Sequence, residues 1–173
     1  VQAAFDDVVA RMSTHDAASE LSGFNRHAST APYALSQDTL QVFALARQVS
    51  EETAGAFDIT VAPLVDAWGF GPSRHATIPA TERIRALQPG VGYRLLAVDR
   101  AAGAAAKAQP GLAADLSGIA KGYGVDLAAR ALGRLGHTDF MVEAGGEVRT
   151  RGNNAAGRPW QIAIERPDAV PQR

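Results

Sequence analysis

Cysteine is absent from the 173 residues, which excludes disulfides, thiolate nucleophiles and cysteine-held metals. That absence is compatible with a reducing or an oxidising compartment. Excess positive charge is missing too: 17 Lys and Arg stand scattered against 18 Asp and Glu, so nothing draws the chain electrostatically to nucleic acid. No apolar run nears the ~20 residues that cross a bilayer, and no basic-then-apolar segment opens the chain. Serine hydrolysis lacks its G-x-S-x-G elbow, and a P-loop lacks its glycine spacing and its Ser/Thr. The four histidines, His15, His27, His75 and His137, fall in no metal-ligand spacing.

What is present has the balance of an ordered globular protein, with 46% hydrophobic and 20% charged residues. The length suits one domain or a large part of a bigger one. "VQAAFDDVVARMS" reads as a helix already in progress and "ERPDAVPQR" stops without closing an element, so further sequence is expected at both ends.

Val1, Ala4, Phe5, Val8, Val9 and Met12 recur at helical spacing. Ser19 can cap a short turn carrying Leu21 and Phe24. A longer helix follows Ser36, with Val42, Leu45, Ala46 and Val49 on one face and Gly55 to end it. Phe57–Val61 is β-prone, a proline then opens a helical turn, and Thr77–Leu87 has helical character. Tyr93–Val98, Ala104–Ala108 and Leu112–Asp115 read as short antiparallel strands. A helix after Gly118 presents Val125, Ala128, Ala129, Leu132 and Leu135. "DFMVEAGGEVRTRG" supplies two strands around a diglycine, and "PWQIAIERP" a last one. Helices mixed with runs of adjacent strands point to an α+β fold, an α/β layered sandwich with a largely antiparallel sheet flanked by helices.

The stretch "ADLSGIAKGYGVD" carries the strongest local chemistry, because Asp115 ends an apolar segment six positions before Lys121, at a strand-to-helix junction. Such junctions attract anions, and a lysine there reaches phosphate as a point charge. An N-capping Asp beside a solvated Lys explains the same pattern without a ligand. Asp58 and Thr60 would share one face of a strand, towards a cleft or towards water. Trp68 and Phe70 in "WGFG" fit a core more readily than a stacking platform. Glu143 and Glu147 flank Gly145 and Gly146, which read first as a bulge or a close backbone approach.

Five segments, "MSTHDAASELSGFN", "GAFDITVAPLVDAWGFG", "ADLSGIAKGYGVD", "FMVEAGGEVRTRG" and "PWQIAIERP", resemble in order and spacing the FAD:protein FMN transferases of the ApbE family. The resemblance implies a magnesium-dependent enzyme that splits FAD at its diphosphate, releases AMP and transfers FMN to a Thr or Ser hydroxyl of a partner flavoprotein. It implies FAD contacts at His15, Ala56, Phe57, Asp58, Asp115 and Lys121, with Asp58 and Lys121 in catalytic roles and the Gly118 carbonyl at magnesium. His15 stands where the family commonly has a tyrosine. The acceptors implied are flavoprotein subunits of sodium-pumping or Rnf-type electron-transfer complexes. The location implied is the periplasmic side of the inner membrane, through a lipid anchor outside this chain. Residues 1–173 correspond to a single partial domain whose upstream strand and C-terminal metal ligands are not in the chain, so poor transfer by the chain alone is expected. FAD binding without transfer, and hydrolysis of FAD to FMN and AMP, are the alternatives.

Overall fold

Two edge-to-face phenylalanines show how the first half of the chain is assembled. The computed structural model describes residues 1–73 and 78–164. Helix α1 (Gln2–Met12) is followed by α2 (Glu20–Arg26), whose Phe24 ring meets Phe43 of α3 (Gln37–Glu52) at 5.4 Å and 76°. Both rings are fully buried, a contribution of about 2 kcal/mol each from area removed from water. Ser19 caps α2 by accepting from the Ser22 amide at 3.0 Å, and Ser36 caps α3 by accepting from the Thr39 amide at 3.3 Å. The Glu20 carboxylate accepts from the hydroxyls of Ser36 and Thr39, locking the two helix starts together.

The buried stripe of α3 is Leu40, Val42, Phe43, Ala46 and Ser50, while the expected face member Leu45 is 46% exposed. Ser50 enters the core because its hydroxyl donates back to the Ala46 carbonyl at 2.9 Å, which satisfies the buried polar group. After α3 the chain passes through left-handed residues at Ala54 and Gly55 (φ 52° and 84°), the stop expected of Gly55.

A three-stranded antiparallel sheet forms from β1 (Tyr33–Ala34), β2 (Leu96–Asp99) and β3 (Ala104–Lys107) in the order β1-β3-β2, with Leu96 opposite Lys107. Helices α4 (Ala62–Ala67), with Pro63 in its first turn, and α5 (Thr81–Leu87) lie between α3 and β2 in the sequence. Helix α6 (Ala120–Arg134) packs on the hairpin of β4 (Phe140–Ala144) and β5 (Glu147–Arg151) through Val125, Ala128, Ala129 and Val142. Gly145 and Gly146 make the two-residue turn with φ of 59° and 90°. Two successive positive φ values are what a type I′ hairpin needs, so the diglycine is a turn and not a bulge. Helix α1 crosses α6 at Gly124, where a Cβ would stand 3.1 Å from the Phe5 ring.

The α+β expectation holds, with every strand among the described residues pairing antiparallel. Several local expectations do not. Phe57–Val61 is no strand: Asp58 is extended and Ile59–Val61 form a 3-10 turn that Asp58 caps. Residues Tyr93–Leu95 are also a 3-10 turn, and pairing begins only at Leu96. Leu112–Asp115 belongs to no strand, and neither do residues 160–164 of the expected last strand, whose residues 165–167 lie outside the described residues. Trp68 and Phe70 are 50% and 77% exposed, so they do not fill a core. In the expected helix of Thr77–Leu87, the helical residues start at Thr81, and Thr77 lies outside the described residues, as does His75.

Candidate functional site

The segment before α6 is held like a sheet strand, but by a side chain. The Asn25 amide donates to the Ala114 carbonyl and accepts from the Ala114 amide, both at 2.8 Å. The Asp115 amide donates to the Ile59 carbonyl at 2.7 Å. Leu112, Ala114 and Leu116 are fully buried, whereas Ala113 and Asp115 line a depression. Asp115 is 9% exposed, and its carboxylate accepts from the Ser117 amide at 2.7 Å, an Asx turn that reverses the chain into α6. Lys121 sits in the first turn of α6. Its ammonium is 3.3 Å from the Gly145 carbonyl and 3.8 Å from the Glu147 carboxylate, half-exposed at the hairpin turn.

Facing this segment is the wall formed by residues 56–61. The Asp58 carboxylate accepts from the Thr60 amide at 2.8 Å, the Thr60 hydroxyl at 2.7 Å and the Tyr93 amide at 2.6 Å. Thr60 in turn accepts from the Gly92 amide at 2.7 Å. Both Asp58 oxygens are thus engaged by donors of this chain, which fastens the wall to the loop ahead of β2. Gly118 allows the Phe57 ring close to the backbone, since a Cβ there would stand 3.3 Å from it.

Three adjoining depressions of about 410, 310 and 300 Å³ surround the Asp115–Lys121 segment. The first lies between α2 and α4, with Asn25 and Asp66 on its walls. The second, largely apolar, has Val9 and Met12 of α1 on one side and Lys121 and Gly145 on the other. Ala56, Phe57, Asp58 and Gly118 line the third. His15 is common to the first and second, Asp115 to the first and third, and Ser117 to the second and third. All seven residues for which the resemblance implies a role, His15, Ala56, Phe57, Asp58, Asp115, Gly118 and Lys121, line one or more of these three adjoining depressions.

Sequence reading missed Asn25, whose partner lies 89 residues away and leaves no local pattern. It also missed Asp66, which accepts from the Ser73 amide and hydroxyl at 2.9 and 2.8 Å. No group of three or more His, Asp or Glu among the described residues is placed to hold a metal ion. The hard oxygens at hand, the Asp115 carboxylate and the Gly118 carbonyl, have the chemistry magnesium accepts, as part of a set completed by phosphates and water.

Beneath Asn25 lies Lys107, where desolvation pushes the ammonium below its usual range. The folded state then binds fewer protons than the unfolded state between that lowered value and the usual lysine range. Stability is therefore expected to rise with pH across this alkaline window. Lys107→Met should abolish that component of the rise, read from urea midpoints between about pH 8 and 11.

A family model described as the ApbE family matches residues 1–173. The chain belongs to the ApbE family. Among curated relatives, an FAD:protein FMN transferase of Haemophilus influenzae is 42% identical over 177 residues, covering 100% of this chain and 51% of that protein. One from Vibrio cholerae is 44% identical over 169 residues, covering 97% and 50%. Among solved structures, the flavin transferase ApbE from Vibrio cholerae matches with a TM-score of 0.91 at 43% identity, over 96% of this chain and 53% of that one. The apo flavinyl transferase ApbE of Pseudomonas stutzeri matches at 0.87 and 33%, over 94% and 54%. This ApbE-family chain spans about half the length of the curated relatives it matches.

Proposed function

We propose that the concavity around Asp115–Lys121 binds FAD, and that in the longer family protein it transfers FMN to a Thr or Ser hydroxyl of an acceptor flavoprotein. The observation that carries this reading is the convergence of seven residues from three separate segments on adjoining depressions, in a family whose curated relatives are named for this reaction. The acceptor hydroxyl oxygen attacks the FMN phosphorus, the bond to the bridging diphosphate oxygen breaks, AMP leaves and the hydroxyl proton passes to solvent or a base.

Lys121, at the start of α6, is placed to stabilise negative phosphate oxygens as that bond breaks. Asp115 accepts hydrogen bonds from the nucleotide, and Asp58 holds the wall that carries Ala56 and Phe57. His15, between the two largest depressions of the site, offers an imidazole face to a flat ring. The Gly118 carbonyl would help hold magnesium, which neutralises diphosphate charge when bound. The family resemblance further supports acceptor subunits of sodium-pumping or Rnf-type complexes, on the periplasmic side of the inner membrane.

Titration of the chain with FAD, with and without Mg²⁺, tests binding. A Kd above about 1 mM, corresponding to roughly −4 kcal/mol, would remove the nucleotide reading. Mass analysis of an acceptor protein then separates transfer, which leaves FMN on the protein, from hydrolysis, which leaves free FMN, and from binding alone.

A further inference from the structure

Lys107 is 2% exposed in β3, with its ammonium inside the main core. It donates to the carbonyls of Asn25 and His27, both at 3.0 Å, and stands 4.8 Å over the Phe24 ring. Among the described residues no carboxylate pairs with it. A buried cation without an anion costs desolvation that an apolar side chain of the same length would not. Packing alone therefore gives no reason for an ammonium here.

Its partners supply one. The Asn25 carbonyl takes the ammonium while the Asn25 side chain brackets Ala114, the residue before Asp115. The His27 carbonyl takes a second hydrogen bond from the same ammonium where α2 ends, a position whose outward-facing carbonyls favour a cation. We propose that Lys107 is a positioning residue of the nucleotide site: by clamping the end of α2 it aims Asn25, and through Asn25 it sets Asp115 in the concavity. The link to the nucleotide rests on the FAD reading above, whereas the clamp itself does not.

The chain contains no cysteine, so Lys107→Cys creates a single thiol that can be alkylated in denaturant and refolded. Bromoethylamine restores an ammonium of nearly native length, and bromopropane gives a neutral side chain of equal length. The propyl form is expected to exchange the amide hydrogens of Ala114 and Asp115 at least about tenfold faster than the aminoethyl form, because it lacks both charge-assisted hydrogen bonds to the end of α2. Val125 and Ala128 of α6 should exchange alike in both. FAD affinity should fall by a similar factor in the propyl form and return in the aminoethyl form.

Equal exchange at Ala114 and Asp115 in the two forms would overturn the clamp, as would a uniform increase that includes α6. If FAD binds neither form, nor the unsubstituted chain, the nucleotide reading fails while the exchange result still decides the clamp. Should the propyl form not fold, Asn25→Ala takes its place, with Lys107 intact. The same local acceleration is expected, and its absence would overturn the proposal.

Discussion

Asp58→Ala is expected to lower stability by about 3 kcal/mol, from the loss of a charged acceptor serving several buried donors. The donors abandoned are the Thr60 amide, the Thr60 hydroxyl and the Tyr93 amide. Thr60 is fully buried and Tyr93 nearly so, which keeps water from replacing the lost partner. For a chain of this size that loss corresponds to a melting point lower by roughly 6–12 °C. Asp58→Asn should cost less, because one oxygen remains for Thr60 while the amide group faces the Tyr93 donor. FAD affinity is expected to fall with both, since the wall bearing Ala56 and Phe57 loses its anchor. A stability change under about 1 kcal/mol in Asp58→Ala would show that the carboxylate is not the wall's fastening.

Lys121→Ala should behave oppositely. Its ion pair with Glu147 spans 3.8 Å between side chains that are each about half exposed, a geometry worth about 0–1 kcal/mol. The melting point should barely move. FAD affinity is expected to drop by about tenfold to a hundredfold, the value of one or two charge-assisted contacts to phosphate. The unsubstituted chain should bind FAD less tightly as salt rises, with a smaller dependence in Lys121→Ala. Lys121→Arg keeps the charge and should retain part of the affinity. Unchanged FAD binding in Lys121→Ala would leave the lysine as a brace between α6 and the Gly145 turn.

These two residues were read from the sequence as one kind, catalytic contacts, and the structure separates them by their surroundings. Asp58 has its oxygens engaged by donors from its own turn and from the Gly92–Tyr93 loop, while Lys121 lines the second depression with its side chain half-exposed. A linear pattern reports residue type and spacing. It carries no information about the Tyr93 amide, 35 positions further on, that makes Asp58 a fastener.

The same limit explains the misread elements. Phe57–Val61 has β-forming residues, yet the Asp58 cap on Thr60 offers the backbone a local turn that competes with extended pairing. Leu112–Asp115 has the alternation of a strand, but the group that satisfies Ala114 is a side-chain amide rather than a neighbouring strand. Trp68 and Phe70 are apolar by type and outside by position, beside the rim of the first depression at Gly71–Ser73.

What the sequence alone determined is whatever depends on neighbours within a few residues. Helices α1, α3 and α6 follow from apolar periodicity, the caps at Ser19 and Ser36 from a hydroxyl beside free amides, and β4 and β5 from the two strand-like segments on either side of the diglycine. The family motifs belong to the same class, being short and in order. Tertiary structure decided which polar groups stay buried and which side chains meet. Only in three dimensions does β3 bring the Lys107 ammonium under α2, and only there does Asn25 reach across 89 positions to shape the ground beneath Asp115. The physical reason is that a buried polar group must find a partner wherever the fold provides one, and chain separation places no bound on where that is.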